Sequence, residues 1–226
     1  MTAAKQPRTQ SSRKKILVVD DHAVLREGLV AQINREPDLV VCGEAGDARQ
    51  ALAAVEALEP DLMLADLTLP GRNGLELIRD LRAFRPKLPV LVLSMHDASL
   101  FAERVLRAGG RGYISKQRSG QRLIAAIRHV LSGQIYLSDE VSTRLLGSLS
   151  GGCAAQTVSP IEQLTDRELE VFTLIGQAKE TKEISQCLGM SAKTVEAHRA
   201  NIKRKLKLKS GPELTRHAVL WVEAIR

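Results

Sequence analysis

Short apolar runs alternate with helix-like segments over the first 135 residues, and this alternation restricts the possible folds more than any other feature. Five runs have the continuous apolar character of strands that are buried on both faces. They lie at residues 16–19, 39–43, 62–65, 89–93 and 112–115. Segments with apolar residues at helical spacing lie between these runs and after the last one, and such helical connections are what parallel strands require. The sequence therefore predicts a doubly wound α/β domain with a five-stranded parallel sheet.

The second half of the chain has a different pattern and predicts a second domain. Residues 138–149 are suited to one further short helix, and residues 150–160 are small, polar and glycine-containing, which is typical of a flexible linker. From residue 165 strand-like runs cease, and we expect four helices. The predicted division is a disordered basic lead-in at 1–14, the α/β domain at 15–135, a short helix and linker at 136–161, and a helical domain at 162–226.

The positive charge of the chain lies at its two ends. Residues 1–15 carry five basic groups and no acid, and residues 162–226 carry 12 basic and 9 acidic groups, whereas residues 16–161 are nearly neutral. A basic terminal domain favours a polyanionic partner such as DNA. No apolar run approaches the roughly 18 residues that span a bilayer. The lead-in lacks the apolar core of a secretory signal, and the three cysteines suggest neither disulfides nor zinc, so we expect a cytoplasmic protein without membrane contact.

Charged and polar side chains stand at the carboxyl ends of four predicted strands, which is the edge where open parallel sheets bind ligands. These residues are Asp20, Asp21, Asp66, Ser94 and Lys116. Three neighbouring carboxylates repel one another and require a cation, and hard oxygen ligands favour Mg²⁺. If Asp20 and Asp21 hold the metal, Asp66 remains as a nucleophile toward a phosphoryl group. The metal, Lys116 and the Ser94 hydroxyl would stabilise the transferred oxygens.

Two other chemistries of α/β folds are disfavoured by the same residues. A dinucleotide site needs a glycine-rich first turn that admits pyrophosphate, but here the first turn is the acidic segment DDHA at 20–23. A phosphatase with an aspartyl nucleophile would want a second acid two residues after Asp66, and that position is Thr68.

Four separated motifs in the α/β part resemble a known family. They are ILVVDDH at 16–22, DLTLPGRNG at 66–74, LSMHD at 93–97 and GYISK at 112–116. Together they resemble the receiver domain of two-component response regulators over roughly residues 14–135. The resemblance implies that Asp66 is the phospho-acceptor and that Ser94 and Lys116 read the phosphoryl group. It also implies that Tyr113 is an aromatic switch coupled to Ser94.

The resemblance also implies a metal and a partner, and the sequence departs from the family pattern at one position. The implied protein ligands of Mg²⁺ are Asp20, Asp21, Asp66 and the backbone carbonyl of Thr68. The implied phosphoryl donor is a sensor histidine kinase. Asn73 stands where the family usually has Asp, in a loop beyond the acceptor.

The basic end has the spacing of a helix-turn-helix. A short helix at 182–188, a turn at Gly189-Met190 and a long helix at 191–206 follow one another. A capping box, Thr165 to Glu168, opens the first helix of this domain. Six basic residues and no acid lie between Arg199 and Lys209. Such density suits phosphate contacts, and the first half of the long helix suits base edges.

These segments resemble the LuxR-type DNA-binding domain of the NarL/FixJ response regulators over residues 164–226. The motifs are LTDRELEV at 164–171, KEIS at 182–185 and MSAKTVEAHRANIKRKL at 190–206. The resemblance maps base contacts onto Glu196, Ala197, Ala200 and Asn201, and backbone contacts onto Lys193, Thr194, Lys203 and Lys205. Ala178 replaces the usual glycine and Lys179 an apolar residue before the short helix, so we expect a turn of different shape there.

The last helix is predicted to contribute to dimerisation as well as to the core. One stripe, with Leu214, Ala218 and Trp221, repeats at helical spacing, and Val219 and Val222 form a second stripe beside it. A small domain needs one stripe to close its core, and spare apolar surface marks a partner. We expect Ala218, Val219 and Val222 to form a homodimer surface. The alternative is that Val219 and Val222 pack within the domain.

The combined features predict a transcription regulator, not an enzyme, that is phosphorylated by a histidine kinase and binds DNA as a dimer. In the resting state the receiver is expected to cover the DNA-reading helix, the dimer surface or both. Two alternatives remain at this stage. One is a phosphorylation-independent DNA binder with a vestigial receiver. The other is a phosphotransfer enzyme whose basic domain docks a partner.

Overall fold

The structure is a computed structural model, and it describes residues 13–70, 72–95, 98–116, 119–149 and 160–224. Most of the predicted lead-in and linker, residues 1–12 and 150–159, lies outside these residues. The first domain contains the predicted five-stranded parallel sheet, and its strand order is β2-β1-β3-β4-β5. Its strands are Lys14–Val19 (β1), Leu39–Ala45 (β2), Leu62–Ala65 (β3), Val90–Ser94 (β4) and Gly112–Ser115 (β5).

Helices follow each strand and cover both faces of the sheet. They are Ala23–Asn34 (α1), Ala48–Leu58 (α2), Gly74–Phe84 (α3), Ala98–Ala108 (α4) and Ser119–Leu131 (α5). Local chemistry sets their ends: the side chain of Asp47 accepts the backbone N–H of Gln50 at the start of α2, and Glu59 ends that helix in a left-handed conformation before Pro60. The strands are buried because two apolar clusters, one on each face, enclose them.

The predicted extra helix and the helical domain are both present. The extra helix is Asp139–Leu149 (α6), which packs against α4. A short 3₁₀ helix at Pro160–Gln163 leads to Asp166–Gly176 (α7), Thr181–Cys187 (α8), Ala192–Lys205 (α9) and Gly211–Ala224 (α10). The capping box at the start of α7 is confirmed, since Thr165 and Glu168 bond reciprocally. No described helix is long and apolar enough to cross a membrane.

The two domains share a buried apolar cluster. Residues of the receiver part, such as Leu69 and Phe101, belong to the same continuous cluster as Leu164 and Phe172 of the helical part. Burial of this kind removes apolar surface from water on both sides and stabilises contact between the domains. The two domains therefore meet at a buried junction.

Candidate functional site

Two predicted carboxylates meet at the carboxyl edge of the sheet because their strands are neighbours. Asp20 follows β1 and Asp66 follows β3, and the register pairs Val19 with Ala65 immediately before them. Both side chains are buried, with 1% and 4% exposure. Buried carboxylates are costly unless a cation or donor compensates them. The fold thus places two acids where a positive partner is required.

Lys116 supplies that positive charge. Its Nζ lies 2.7 Å from Oδ2 of Asp66 and 2.7 Å from Oδ2 of Asp20. Burial raises the pKa of Asp66 to about 6, and the neighbouring Asp20 adds to the rise, while Lys116 and the N–H of Thr68 act against it. Burial acts to lower the pKa of Lys116, but the two carboxylates outweigh it and raise that pKa. The lysine therefore stays charged between the two acids.

Asp21 and a residue that the sequence did not single out complete the acidic cluster. Ligand atoms of Asp20, Asp21, His22 and Asp66 lie within 4.8 Å of one another. His22 Nδ1 lies 2.8 Å from Asp21 Oδ1 and 3.2 Å from Asp20 Oδ1. Its position within the motif at 16–22 was the available signal, but no separate pattern marks it as a ligand.

The acidic cluster has oxygen atoms that fit a hard cation. Oδ2 of Asp20 and Oδ1 of Asp21 are buried, and neither accepts a hydrogen bond of good geometry, although Lys116 and His22 lie close to them. Buried carboxylate oxygens without a well-aligned hydrogen bond are positions that a bound cation satisfies. The acid-rich donor set suits Mg²⁺ better than a soft metal, since three of its four members are carboxylates.

The remaining predicted receiver residues lie around the same edge. Ser94 ends β4 and is fully buried, and Tyr113 on β5 is 2% exposed, paired in the sheet with Val92. The backbone N–H of Thr68 donates to Asp66 Oδ1 at 3.2 Å. The structure therefore brings the predicted acceptor, hydroxyl, aromatic and lysine to one end of the sheet.

The loop after β3 folds back onto the acceptor through Asn73 and Gly74. Asn73 is buried, bridges to Thr68, and caps α3 by accepting the N–H of Leu75 at 2.6 Å. A Cβ at Gly74 would lie 2.5 Å from the carbonyl oxygen of Asp66, so only glycine fits this approach. The start of α3 is thereby held against the backbone of the acceptor.

Glu170 of the helical domain reaches this loop, which sequence reasoning missed. Asn73 Nδ2 donates to Glu170 Oε1 at 2.9 Å across the domain junction, and Arg167 donates to Glu170 Oε2 at 2.8 Å. Glu170 is fully buried, and burial raises its pKa to about 7. Asp66 is among the charges that add to this rise. No sequence signal could have found the contact, because the two residues are 97 positions apart.

The predicted DNA-reading face of α9 is open. Lys193, Thr194, Glu196, Ala197 and Ala200 are exposed, and Asn201 and Lys203 are partly exposed. Of the two surfaces that the resting receiver is expected to cover, the DNA-reading helix or the dimer surface, the helix is therefore uncovered in this structure. The polar contacts that the described residues make between the domains go instead to Leu164, Asp166 and Glu170, at the start of α7 and just before it.

Lys205 is engaged inside the domain, in contrast to its predicted role as a DNA-backbone contact. Its Nζ lies 2.6 Å from Oε2 of Glu168 and donates to the carbonyl of Gln163 at 3.1 Å. The side chain of Glu168 is only 5% exposed, so the pair is largely shielded from water. Lys205 thus compensates a buried charge within the domain, so its ammonium is not free to serve as the predicted DNA-backbone contact.

The turn before the short helix and one histidine of α9 also bear on the expectations for this domain. Ala178 occupies the left-handed region with φ of 62°, so the turn keeps the shape that glycine favours, and the expectation of a different turn is wrong. His198 on α9 is half-buried, and burial lowers its pKa, so it packs within the domain.

The predicted dimer residues of α10 are mostly core. Ala218 is fully buried and Val222 is 6% exposed, and both lie against Gly176 of α7. The prediction that Val222 is spare surface is wrong, because it packs against α7 as the alternative expected, and the buried Ala218 offers no surface to a second copy. Val219 is partly exposed, and its neighbour Leu220 is 55% exposed.

Comparison with known proteins assigns both halves of the chain. The model of the response regulator receiver domain matches residues 16–128, and the model of the luxR family of bacterial regulatory proteins matches residues 162–218. The oxygen regulatory protein NreC of Staphylococcus aureus (strain JH9) is 38% identical over 209 residues, which cover 91% of this chain and 96% of NreC.

Solved structures show the same architecture. A two-component response regulator of the LuxR family from Aurantimonas sp. SI85-9A1 is 34% identical, with a TM-score of 0.58 over 62% of this chain and 99% of that chain. RcsB from Salmonella typhimurium gives a TM-score of 0.66 over 95% of this chain and 98% of its own, at 22% identity, and so shares the fold.

Proposed function

Because the chain belongs to the LuxR family of response regulators, which are phosphorylation-controlled DNA-binding transcription regulators and not enzymes, we propose that Asp66 accepts a phosphoryl group from a sensor histidine kinase. The observation that supports this most directly is the buried Lys116 that pairs with both Asp66 and Asp20. A vestigial receiver would not need to keep this costly set of buried charges.

In the proposed step, a carboxylate oxygen of Asp66 attacks phosphorus as the phosphorus–nitrogen bond of the donor phosphohistidine breaks. The leaving imidazole retains that bonding electron pair, and an acyl phosphate forms on Asp66. Lys116 shifts its contact from the carboxylate to the transferred oxygens, and the Ser94 hydroxyl donates to one of them. Asp20, Asp21, Asp66 and the carbonyl of Thr68 would hold Mg²⁺, which neutralises phosphoryl charge when it is bound.

The acceptor is tested by labelling the full chain with radioactive acetyl phosphate in the presence of Mg²⁺. Asp66→Asn removes the nucleophile with little change in shape, so we expect labelling to disappear. Asp139→Asn, an exposed carboxylate on α6, is the matched control and should label normally. Full labelling of the Asp66 variant would refute the assignment.

The metal site is tested by titrating Mg²⁺ without a phosphodonor. Asp21→Asn removes one of the proposed ligand charges, so it should weaken binding by about tenfold or more. Unchanged affinity in that variant would remove Asp21 from the ligand set.

We also propose that the open face of α9 contacts DNA. The base contacts would come from Glu196, Ala197, Ala200 and Asn201, and the phosphate contacts from Lys193, Thr194 and Lys203. The exposure of this face and its cluster of basic residues support the proposal. Lys203→Met should weaken binding to all DNA sequences similarly and lower the salt slope by about one. A loss confined to one sequence would assign Lys203 to base reading.

Dimerisation on DNA is proposed to use the outer side of α10, where Val219 and Leu220 retain exposure. Two copies side by side would read half-sites about one DNA turn apart. Leu220→Glu should abolish cooperative binding to paired half-sites and leave single-site affinity intact. Cooperativity that survives this change would place the dimer surface elsewhere.

A further inference from the structure

A buried polar contact joins the phospho-acceptor loop to the DNA-binding domain. Glu170 of α7 accepts a hydrogen bond from Asn73 of the loop, and both residues show 0% exposure. Asn73 precedes Gly74, which lies directly against the backbone of Asp66. The first helix of the DNA-binding domain therefore touches the segment that must respond when Asp66 is modified.

The identity of residue 73 is what makes this contact favourable. The asparagine oxygen accepts the N–H of Leu75, which leaves the amide nitrogen to donate to Glu170. An aspartate could still cap α3, but it would turn a second acceptor toward the Glu170 carboxylate. Two acceptors at this separation, away from water, repel each other. The departure from the family pattern thus matches a partner in the other domain.

Two arginines of the receiver hold the same end of α7. Arg79 of α3 and Arg104 of α4 both pair with Asp166, and Arg104 also donates to the carbonyl of Leu164 at 2.9 Å. The Asp166 side chain is only 14% exposed. These contacts fix α7 so that Glu170 enters the loop and does not point to solvent.

We propose that Asn73 and Glu170 form an interdomain latch that couples phosphorylation of Asp66 to release of α7, with the coupling acting in both directions. This inference rests on the proposed role of Asp66. Conversion of the Asp66 carboxylate, which already carries one negative charge, to an acyl phosphate adds about 0.5 to 1 further negative charge, close to a buried carboxylate that has no solvent to screen it. Phosphorylation therefore opens the junction. By thermodynamic reciprocity, opening the junction favours phosphorylation.

The test uses full-length variants at both ends of the contact. Asn73→Asp places a carboxylate opposite Glu170 and should open the junction without phosphorylation. Glu170→Gln keeps a side-chain oxygen for Asn73 and removes the charge, so the junction should stay closed even after phosphorylation. In the double variant the glutamine amide can donate to the new aspartate, so closure should be restored. Glu223→Gln, the same change at an exposed position of α10, is the control.

Two measurements report the outcome. Small-angle scattering gives the radius of gyration, which should rise in Asn73→Asp and return to the parent value in the double variant. Labelling by acetyl phosphate at low donor concentration gives the phosphorylation equilibrium. This equilibrium should shift toward the labelled form in Asn73→Asp and away from it in Glu170→Gln. Each shift should be about tenfold, which is the scale of one lost or gained hydrogen bond to a charged group.

The results separate this inference from the proposed function. If the parent chain is not labelled, the assignment of Asp66 fails. If the parent is labelled but Asn73→Asp has the parent's radius and labelling, the latch is refuted while the acceptor stands. A radius that rises in Asn73→Asp but is not restored in the double variant also refutes it, since the effect would then lie within the receiver loop alone.

Discussion

Replacing Lys205 with methionine separates a structural lysine from a DNA-contacting one. The pair with Glu168 compensates a carboxylate whose side chain is 5% exposed, whereas the lysine side chain is 26% exposed. Burial acts to raise the pKa of Glu168, but the hydrogen bonds from Lys205 and Thr165 lower it, so the carboxylate is charged in the parent. Lys205→Met leaves only the Thr165 contact, and we expect it to destabilise the domain by about 1–3 kcal/mol.

The chain provides its own probe for this measurement. Trp221, the only tryptophan, lies on α10 with its ring centroid 5.2 Å from that of Phe172 on α7. Its fluorescence therefore follows unfolding of the DNA-binding domain. In urea, Lys205→Met should unfold at a lower midpoint than the parent. The ammonium of Lys203 is proposed to face DNA, so Lys203→Met should unfold at the same midpoint as the parent.

DNA binding should show the opposite order. The salt slope of binding should fall by about one for Lys203→Met and stay unchanged for Lys205→Met, because a lysine held by Glu168 releases no counterion from DNA. A lowered slope for Lys205→Met together with a parent-like urea midpoint would refute this reasoning and return Lys205 to the phosphate-contacting set.

Three further outcomes follow from single positions. Gly176→Ala should destabilise the DNA-binding domain by about 1–3 kcal/mol, seen as a lower urea midpoint, because the new Cβ would lie 2.5 Å from the carbonyl oxygen of Ala218. Ala178→Gly should raise that midpoint slightly, by up to about 1 kcal/mol, because it relieves a left-handed alanine. The closed junction should be most stable below about pH 4.5 and should weaken as pH rises through about 7. The reason is that burial in the junction raises the pKa of Glu170 from its ordinary 4.5 to about 7, so the closed form binds the proton more tightly than the open form. The radius of gyration from scattering at pH 6 and pH 8 measures this difference, and Glu170→Gln should remove it. The charged groups that act on Glu170 are Arg167, Asp166 and Asp66.

The receiver site could be predicted from the sequence because its geometry follows from topology. Parallel strands end at one edge, so residues at the ends of β1, β3, β4 and β5 share that edge wherever they stand in the chain. Asp20 and Asp66 meet because β1 and β3 are neighbouring strands, and the long side chain of Lys116 reaches both from the end of β5. A local signal also held: the Thr165 capping box forms as its spacing predicts.

The failures concern residues whose surroundings depend on packing between elements. Helical periodicity placed Val222 on a second stripe of α10, but it cannot show that α7 approaches closely enough to bury that stripe as well. Charge density grouped Lys205 with the DNA-facing lysines, although a buried acid 37 positions away holds it. Glu170 lay in a recognised motif, yet its partner is in another domain.

The exposed reading face of α9 has a consequence for how the protein searches DNA. Since the receiver leaves that face uncovered, the closed chain can already land on DNA through phosphate contacts and move along it, with the weak dissociation constants of about 10⁻⁴ to 10⁻⁶ M that nonspecific binding has at physiological salt. Arrival at the promoter then precedes the signal. On the dimerisation proposed above, phosphorylation would set how long the protein stays there once a second copy joins it, and the response time would depend on residence on DNA more than on diffusion to it.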